Sequence, residues 1–283
     1  MEFRDTSVLI TGAASGIGRS LALALARKGA DLALIDIDPA QAQETAEGVR
    51  AEGRRAEVYG ADVSQQGDVE AAVGAARDDL GPIGLACANA GVCPVAQVMD
   101  FEVSNLEWVM GVNLYGVFHT ARAYVSRLRD AGAEGGHIML TGSENSVSLP
   151  HALRRIGLGP YCMTKHAVLG LAESLRYELA PENIGISILM PGPVATAINE
   201  GARKRPERLG GAFAPDAMDV SLLDPNEPFP PTLQPDAVAR IAVEGLEADR
   251  FMIPTHSHLA AYGQARQDEL DAATAASHLE PNT

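Results

Sequence analysis

The stretch Ser7–Gly29, SVLITGAASGIGRSLALALARKG, holds a complete strand, turn and helix, and it decides the fold class. Its first residues, SVLIT, are a short apolar run of the kind that forms a buried strand. The glycine-rich sequence TGAASGIG comes next, and the apolar residues after it recur at helical spacing. Gly29 suits the C-terminal end of that helix. The stretch therefore predicts the first strand–turn–helix unit of an α/β domain.

The alternation of apolar runs and amphipathic segments continues to about residue 255. Further strands are predicted at DLALID, RAEVYG, IGLACANAG, GHIMLTGS, IGISILMPGPV and RFMIP, and a long helix from about Asn105 to Asp130. Strands rich in Val, Ile, Leu and Ala, each followed by a helix, indicate a parallel sheet covered on both faces. We predict a doubly wound α/β sheet, the Rossmann fold, with about seven strands. Residues 1–255 form a single domain in this interpretation, and residues 256–283 form a C-terminal helix and tail.

Two regions depart from this alternation of strands and helices. Glu144–Pro160 is a long, partly basic loop, and Thr196–Pro235 contains seven prolines. Prolines exclude long helices, and a loop of this length within a domain is typical of a functional segment. We expect residues 196–235 to cover the substrate.

Composition narrows the classes of partner. The formal net charge of −15 argues against nucleic acid or an anionic membrane surface. No apolar run approaches the ~20 residues of a membrane span, and the N-terminal sequence shows no signal peptide. The three cysteines form no CxxC motif, which indicates reduced thiols. These features predict a cytoplasmic protein.

Three glycines in TGAASGIG suit a dinucleotide phosphate. Gly12 permits the tight turn, Gly16 lets the backbone approach a pyrophosphate, and Gly18 allows the helix to pack closely on the strand. The helix N-terminus adds free N–H groups and a positive potential. Because the glycines lie between a predicted strand and a predicted helix, they favour a dinucleotide site over a turn without a ligand.

Asp36 ends the second predicted strand, where an acidic residue accepts hydrogen bonds from the adenosine ribose. A carboxylate there repels a 2′-phosphate, and the next residues, Ile37 and Asp38, are not basic. The sequence therefore predicts NAD rather than NADP. Arg19 in the first helix is a possible objection, and a purely capping role for Asp36 is the alternative.

Further polar residues follow the fourth, fifth and sixth predicted strands, at the edge of the sheet where ligands bind. They are Asn89–Gly91, Ser143 and Pro191-Gly192. Tyr161 begins the next helix at the same edge, and Lys165, four residues on, shares its helix face. A phenol is a weak base at neutral pH, and a nearby ammonium is expected to lower its pKa. The pair thus predicts proton exchange with an alcohol beside a nicotinamide.

These motifs resemble those of one family. TGAASGIG, ANAG, Asn113 in GVNLYGVF, Ser143 in TGSENS, YCMTK and PGPVAT occur in the order seen in short-chain dehydrogenases/reductases. The resemblance is to the single-domain branch with TGxxxGxG, and it covers about Ser7 to Thr196. It implies an NAD-dependent enzyme that interconverts a secondary alcohol and its ketone, assembled as a homotetramer or homodimer.

The resemblance also implies a role for each site residue. Tyr161 would be the general acid/base, and Ser143 would bind the reacting oxygen. Lys165 would hold the nicotinamide ribose, and Asn113 would support a proton-relay water. The implied cofactor-binding residues are Gly12, Ser15, Gly16, Ile17, Gly18, Asp36, Ile37, Asp62, Val63, Asn89, Ala90, Gly91, Tyr161, Lys165, Pro191, Gly192, Val194 and Thr196. Among these, Asp62 and Val63 would flank adenine, and Val194 and Thr196 would contact the carboxamide side.

One departure from the family pattern leaves the serine open. Ser143 precedes Tyr161 by 18 residues, where the family often has about a dozen. The extra residues fall in the loop containing PHALRRIG. Ser146 would replace Ser143 if that loop has a different register, but Ser143 directly ends the strand and is our prediction.

Other interpretations stay open. The protein could be an NADP-linked carbonyl reductase or a non-catalytic dinucleotide-binding sensor, although the complete Asn–Ser–Tyr–Lys set disfavours the latter. The C-terminal segment is similar to tails of bacterial dehydrogenases that oxidise aryl alcohols, which favours an apolar or aromatic alcohol. We interpret Arg154 and Arg155 as a solvated loop or subunit contact rather than a site for an anionic substrate. His256 and His258 are interpreted as an exposed pair and not as metal ligands.

Overall fold

One sheet of seven parallel strands runs through the part of the chain that the structure describes. The structure is a computed structural model, and it describes residues 1–133, 135–149, 155–198, 201, 204–212, 221, 223 and 230–276. The strands are β1 Ser7–Thr11, β2 Asp31–Asp36, β3 Ala56–Gly60, β4 Ile83–Ala88, β5 Gly136–Thr141, β6 Ile184–Met190 and β7 Met252–Pro254. Their order across the sheet is β3-β2-β1-β4-β5-β6-β7. The predicted doubly wound sheet is therefore confirmed.

Burial explains why the strands have different sequence patterns. Every residue of β1 and β2 is buried, and the middle of each strand, Val8–Ile10 and Leu32–Ile35, is apolar. The edge strands β3 and β7 expose part of their residues, and β3 carries the polar side chains Glu57 and Tyr59. Central strands covered on both faces favour continuous apolar runs, whereas edge strands do not.

Helices cover both faces of the sheet. They are α1 Gly16–Arg27, α2 Pro39–Ala51, α3 Gln66–Leu80, α4 Val103–Met110, α5 Gly116–Asp130, α6 Gly159–Glu178, α7 Pro235–Glu247 and α8 Leu259–Ala276. One core layer joins α1, α2 and α7 to the sheet, and a second joins α3, α5 and α6 to its other face. No helix in these described ranges is long and apolar enough to cross a membrane.

The direction of winding reverses between β1 and β4. The chain leaves β1 outward to β2 and β3, and then returns to β4 on the other side of β1. β2 and β4 both pair with β1 in parallel, so the carboxyl ends of these three strands lie at the same edge of the sheet. Ligands of open α/β sheets bind in the crevice at such a switch point.

The long helix expected from Asn105 to Asp130 is interrupted. A π-helical turn, Gly111–Tyr115, separates α4 from α5. The extra residue in a π turn changes which side chains face inward, and such turns occur mostly at functional sites. Here the π turn contains Asn113, whose side chain is fully buried. The expectation of one regular helix is therefore wrong at this position.

Candidate active site

The glycine turn after β1 has the conformation that the sequence requires. Gly12 and Gly16 adopt positive φ angles of 68° and 54°, which favour glycine. A Cβ on Gly12 would lie 2.8 Å from the Cα of Ala90, and one on Gly18 would collide with the carbonyl oxygen of Gly12. The turn is therefore packed between the ends of β1 and β4, with no room for side chains.

The N-terminus of α1 faces the segment after β6. A Cβ on Gly16 would lie 3.2 Å from Cγ2 of Thr196, so these two predicted cofactor residues border the same cleft. Ser15 precedes α1 and makes no capping hydrogen bond with its side chain. Ile17 is partly buried and packs on the core. The first N–H groups of α1 are therefore not capped by the Ser15 side chain, as suits a helix N-terminus that binds a phosphate.

The carboxylate of Asp36 is buried and accepts hydrogen bonds from two backbone N–H groups. Its Oδ2 accepts a hydrogen bond of 2.9 Å from Ala14 N, and its Oδ1 accepts one of 3.0 Å from Asp38 N. These bonds fix the carboxylate against the glycine turn and use two of its roughly four acceptor positions. The neighbouring Ile37 is 43% exposed and offers an apolar surface. The capping role and the ribose role considered for Asp36 are therefore compatible.

Asp62 already has a basic partner. Its Oδ2 accepts a 2.6 Å hydrogen bond from Arg208 Nη2, and its Oδ1 accepts from the Ser64 hydroxyl. Arg208 belongs to the proline-rich segment, so sequence reasoning missed this contact between distant parts of the chain. Val63 is buried against α5, where its carbonyl bonds to His119. Of the two residues expected to flank adenine, Asp62 lies nearer the surface.

Asn89 joins three strand ends. Its Nδ2 donates to the carbonyl of Thr11 over 3.0 Å, and its Oδ1 accepts from Thr141 Oγ1 over 3.4 Å. The backbone N–H groups of Asn89 and Ala90 donate to Thr11 Oγ1. A Cβ on Gly91 would lie 3.8 Å from Lys165 Nζ, so the ANAG turn borders the predicted catalytic lysine.

Asn113 links this turn to α6. Its Oδ1 accepts from Val92 N over 2.8 Å, and its Nδ2 donates to Val92 O and to Thr164 Oγ1. These bonds leave the amide group no free donor, so the side chain fixes the backbone around the site. A polar side chain can be buried here because its amide group is fully hydrogen-bonded.

Tyr161 and Lys165 lie together inside the site. Tyr161 is 9% exposed and Lys165 is 2% exposed. Lys165 Nζ lies 5.6 Å from the centre of the Tyr161 ring and donates a 2.8 Å hydrogen bond to Thr141 O. The pair is therefore not a solvated surface pair, because a lysine this buried occurs almost only with a specific role or partner.

The pKa of Tyr161 differs from expectation. Burial raises the pKa of the phenol well above 10.0, Cys93 and Glu144 act in the same direction, and only the hydrogen bond with Ser143 lowers it. Burial also lowers the pKa of the Lys165 ammonium from 10.5 to about 8. The expectation that Lys165 brings the pKa of Tyr161 down is wrong for the protein alone, since the loss of hydration dominates both groups.

Ser143 and Ser146 have different tasks. Ser143 Oγ interacts with Tyr161 and accepts a hydrogen bond from Asn145 N. Ser146 Oγ accepts from Ser143 N over 3.1 Å, which closes a capping box over the short helix Glu144–Ser146. Ser146 thus holds Ser143 in place, and Ser143 is the serine beside the phenol.

The loop after β6 approaches the same serine. Pro191 O accepts hydrogen bonds from Glu144 N over 2.7 Å and from Ser143 Oγ over 3.5 Å. Val194 forms a bridge with Leu233, beyond which the proline-rich segment returns to α7. Arg154 and much of the segment 196–235 lie outside the described residues, so the expectations for them stay predictions.

The interpretation of His256 and His258 as an exposed pair is wrong. Both are partly buried, and His258 Nε2 lies 2.5 Å from Oε2 of the buried Glu144. Sequence reasoning missed Glu144, whose only signal is its place directly after Ser143. Within the described part of the chain no group of three His, Cys, Asp or Glu residues suits a metal ion.

Comparison with known proteins identifies the family. A family model described as short chain dehydrogenase matches residues 6–207, which is most of the chain. The chain belongs to the short-chain dehydrogenase family.

Among curated relatives, the (-)-trans-carveol dehydrogenase of Rhodococcus erythropolis is 34% identical over 224 residues, which cover 74% of this chain and 76% of that protein. The 1-deoxy-11-beta-hydroxypentalenate dehydrogenase of Streptomyces exfoliatus is 33% identical over 223 residues, covering 78% of each. The chain also matches EphD of Mycobacterium bovis, described as a probable oxidoreductase, at 36% identity over 196 residues. That match covers 69% of this chain but 32% of EphD, so the chain spans about a third of this relative.

Solved structures agree with this family and with its cofactor class. A short-chain dehydrogenase/reductase from Burkholderia phymatum in complex with NAD has a TM-score of 0.85 and 29% identity, covering 100% of this chain and 99% of that one. A short-chain dehydrogenase from Sphingobium yanoikuyae in complex with NADPH has a TM-score of 0.72 and 25% identity, covering 98% of each. Both of these neighbours were solved with a nicotinamide dinucleotide, which is NAD in the first and NADPH in the second.

Proposed function

We propose that this protein interconverts a secondary alcohol and its ketone with NAD as cofactor. The observation that carries the proposal is the position of Tyr161, which is buried between Lys165 and Ser143 at the carboxyl edge of the sheet. A buried phenol beside an ammonium and a hydroxyl is suited to exchange a proton with a bound alcohol.

Each residue of the proposed active site has its own role in the reaction. In the oxidation direction, the Ser143 hydroxyl would donate a hydrogen bond to the alcohol oxygen, and Tyr161 would take the proton of the alcohol. The ammonium of Lys165 lies beside the Tyr161 ring and is held by Thr141 O, and Asn113 holds the surrounding backbone. When bound, oxidised nicotinamide would supply the hydride acceptor and a further positive charge near the phenol.

The preference for NAD rests on Asp36. Its carboxylate is held beside the glycine turn, where a 2′-phosphate would meet negative charge. The two basic side chains nearby already have acidic partners. Arg19 pairs with Glu44 over 3.3 Å, and Lys204 lies 3.7 Å from Asp38. A better kcat/KM with NADP would contradict this preference.

An apolar or aromatic alcohol fits the surroundings of Tyr161. A small apolar cluster forms around its ring from the segments after β4, before α6 and after β6. Its members are Cys93, Val95, Leu149, Ile156, Leu158, Ile198 and Leu223. Relatives named for carveol and hydroxypentalenate point to the same class of substrate. Polar alcohols would leave their hydroxyl groups without partners here.

We also propose a homotetramer or homodimer in the cytoplasm. Large apolar side chains stay exposed on the π turn, α5 and α6, among them Tyr115, Phe118 and Met163. Exposed large apolar side chains on these elements are what a protein interface would cover. All three cysteines are free and buried, which agrees with reduced thiols. Analytical ultracentrifugation should therefore show an oligomer, and a monomer would contradict this assembly.

A substrate screen tests the proposed activity. Purified protein is mixed with NAD and a panel of apolar, aromatic and polar secondary alcohols at pH 7 and pH 9, and NADH is followed by absorbance. We expect turnover of apolar or aromatic members, faster at the higher pH because proton removal is favoured. Binding of NAD without turnover of any alcohol would favour the dinucleotide sensor instead.

A further inference from the structure

A second set of polar contacts joins the C-terminal segment to the catalytic loops. His258 lies just before α8, and its Nε2 contacts Oε2 of Glu144 over 2.5 Å. Glu144 is 4% exposed, and it directly follows Ser143 in the chain. The C-terminal segment therefore reaches the residue next to the proposed substrate-binding serine.

His256 attaches the same segment to the loop after β6. Its Nε2 donates to Pro231 O over 2.9 Å, so its Nδ1 is free to accept from Gly192 N over 3.3 Å. The hydroxyl of Thr255 also accepts from Gly192 N. A Cβ on Gly192 would lie 2.7 Å from His256 Nδ1 and 2.9 Å from Glu144 Oε2. The side chains of His256 and Glu144 are therefore both packed closely against the backbone of Gly192.

The contacts converge on the serine. Glu144 N donates to Pro191 O over 2.7 Å, and Ser143 Oγ approaches the same carbonyl over 3.5 Å. A movement of Glu144 would displace Pro191 O and, with it, a partner of the Ser143 hydroxyl. A buried carboxyl group is costly unless it is paired, so loss of His258 would leave Glu144 without its partner.

We propose that Glu144 and His258 are positioning residues that fix Ser143 and the Pro191-Gly192 turn from the C-terminal segment. The pair acts through Ser143 and does not touch the reacting atoms. The expected effect on kinetics rests on the proposed alcohol dehydrogenase activity. The expected effect on the structure around Ser143 rests on the hydrogen-bond geometry alone.

The test compares three histidine variants. His258→Leu removes the donor at similar size, and His258→Gln keeps an N–H that can reach Glu144. His166→Ala is the matched control, because His166 is a partly buried histidine on α6 that bonds to the carbonyl of Cys162 within its own helix. Each variant is assayed for kcat and KM of the alcohol and for the Kd of NADH.

We expect His258→Leu to lower kcat/KM for the alcohol by about tenfold or more while the Kd of NADH stays within about twofold. His258→Gln should recover most of the lost activity, which a purely steric role would not explain. Should His258→Leu fail to fold, His258→Phe carries the same expectation, because it keeps the edge-to-face contact with Tyr262, at 5.0 Å between ring centres. Kinetics of either variant equal to those of His166→Ala would overturn the proposal.

Hydrogen exchange separates this inference from the proposed function. In the His258 variants, the backbone amides of residues 143–146 and of Gly192 should exchange faster than in the wild type, whereas those of the β1 glycine turn should not change. Unchanged exchange at those amides would overturn the positioning role even if no alcohol is turned over. Absence of turnover by the wild type would contradict only the proposed activity.

Discussion

The two ends of the cofactor cleft are built in different ways. At the adenosine end, backbone groups and short side chains at the ends of β1 and β2 define the site, as in the bonds from Ala14 and Asp38 to Asp36. At the substrate end, Tyr161 is surrounded by side chains from before α6 and after β6, including Ile156 and Ile198. The first end depends on local backbone rules, and the second depends on the packing of segments far apart in sequence.

Tyr161→Phe should have the largest effect, because it removes the acid/base group of the substrate end and leaves the adenosine end intact. We expect kcat to fall by about a thousandfold or more, because general acid/base catalysis contributes about 10²–10⁴-fold to a rate. The Kd of NADH, measured by fluorescence titration, should change by less than about threefold. Appreciable turnover by this variant would break the assignment of Tyr161.

Ser143→Ala and Ser146→Ala separate the two serines. Ser143 contacts the phenol and Ser146 caps the loop, so we expect a loss in kcat of about a hundredfold or more for Ser143→Ala. Ser146→Ala should cost about tenfold or less in kcat and about 1 kcal/mol in the free energy of unfolding, as for a lost helix cap. Near-normal kcat in Ser143→Ala with a large loss in Ser146→Ala would reverse the assignment.

Asp36→Asn tests the adenosine end alone. The amide keeps the shape of the side chain but removes the charge that disfavours a 2′-phosphate. We expect the ratio of kcat/KM for NAD over NADP to fall by about tenfold, with kcat at saturating NAD almost unchanged. Arg19→Gln is the control, because Arg19 pairs with Glu44 and should leave that ratio within about twofold. If Arg19→Gln moves the ratio and Asp36→Asn does not, Arg19 is the specificity residue.

Lys165→Met should change how stability depends on pH. The pKa of Lys165 is lowered by burial from 10.5 to about 8, so the charged form is penalised on folding. That penalty is fully present below about pH 8 and disappears as the pH rises towards 10.5. Between pH 7 and pH 9 the wild type should therefore gain ~1 kcal/mol in the free energy of unfolding relative to Lys165→Met. Denaturant titrations without cofactor measure it, and parallel pH profiles for the two proteins would contradict the burial-lowered pKa.

The comparison also explains what the sequence could predict. The strands, the glycine turn and the position of Asp36 follow from patterns within a few residues of each other, and the structure agrees with them. The π turn at Asn113 has no comparable signal, because a single extra residue in a helix does not change its apolar periodicity enough to be seen.

Contacts between distant segments were not predictable in the same way. The Arg208 bond to Asp62 crosses 146 positions, and the His258 contact with Glu144 crosses 114. Nothing in the local sequence marks either partner. The pKa of Tyr161 likewise depends on burial of its phenol and on the nearby Cys93, which the spacing to Lys165 does not reveal.

Transfer of deuterium tests the central claim most directly. A secondary alcohol that the substrate screen shows to be turned over is prepared with deuterium on its carbinol carbon and incubated with NAD and the protein, and the reduced cofactor is analysed by mass spectrometry. We predict one deuterium per reduced nicotinamide with the wild type and no labelled product with Tyr161→Phe. Reduced cofactor without the label, or equal labelling by both proteins, would contradict hydride transfer from an alcohol held by Tyr161.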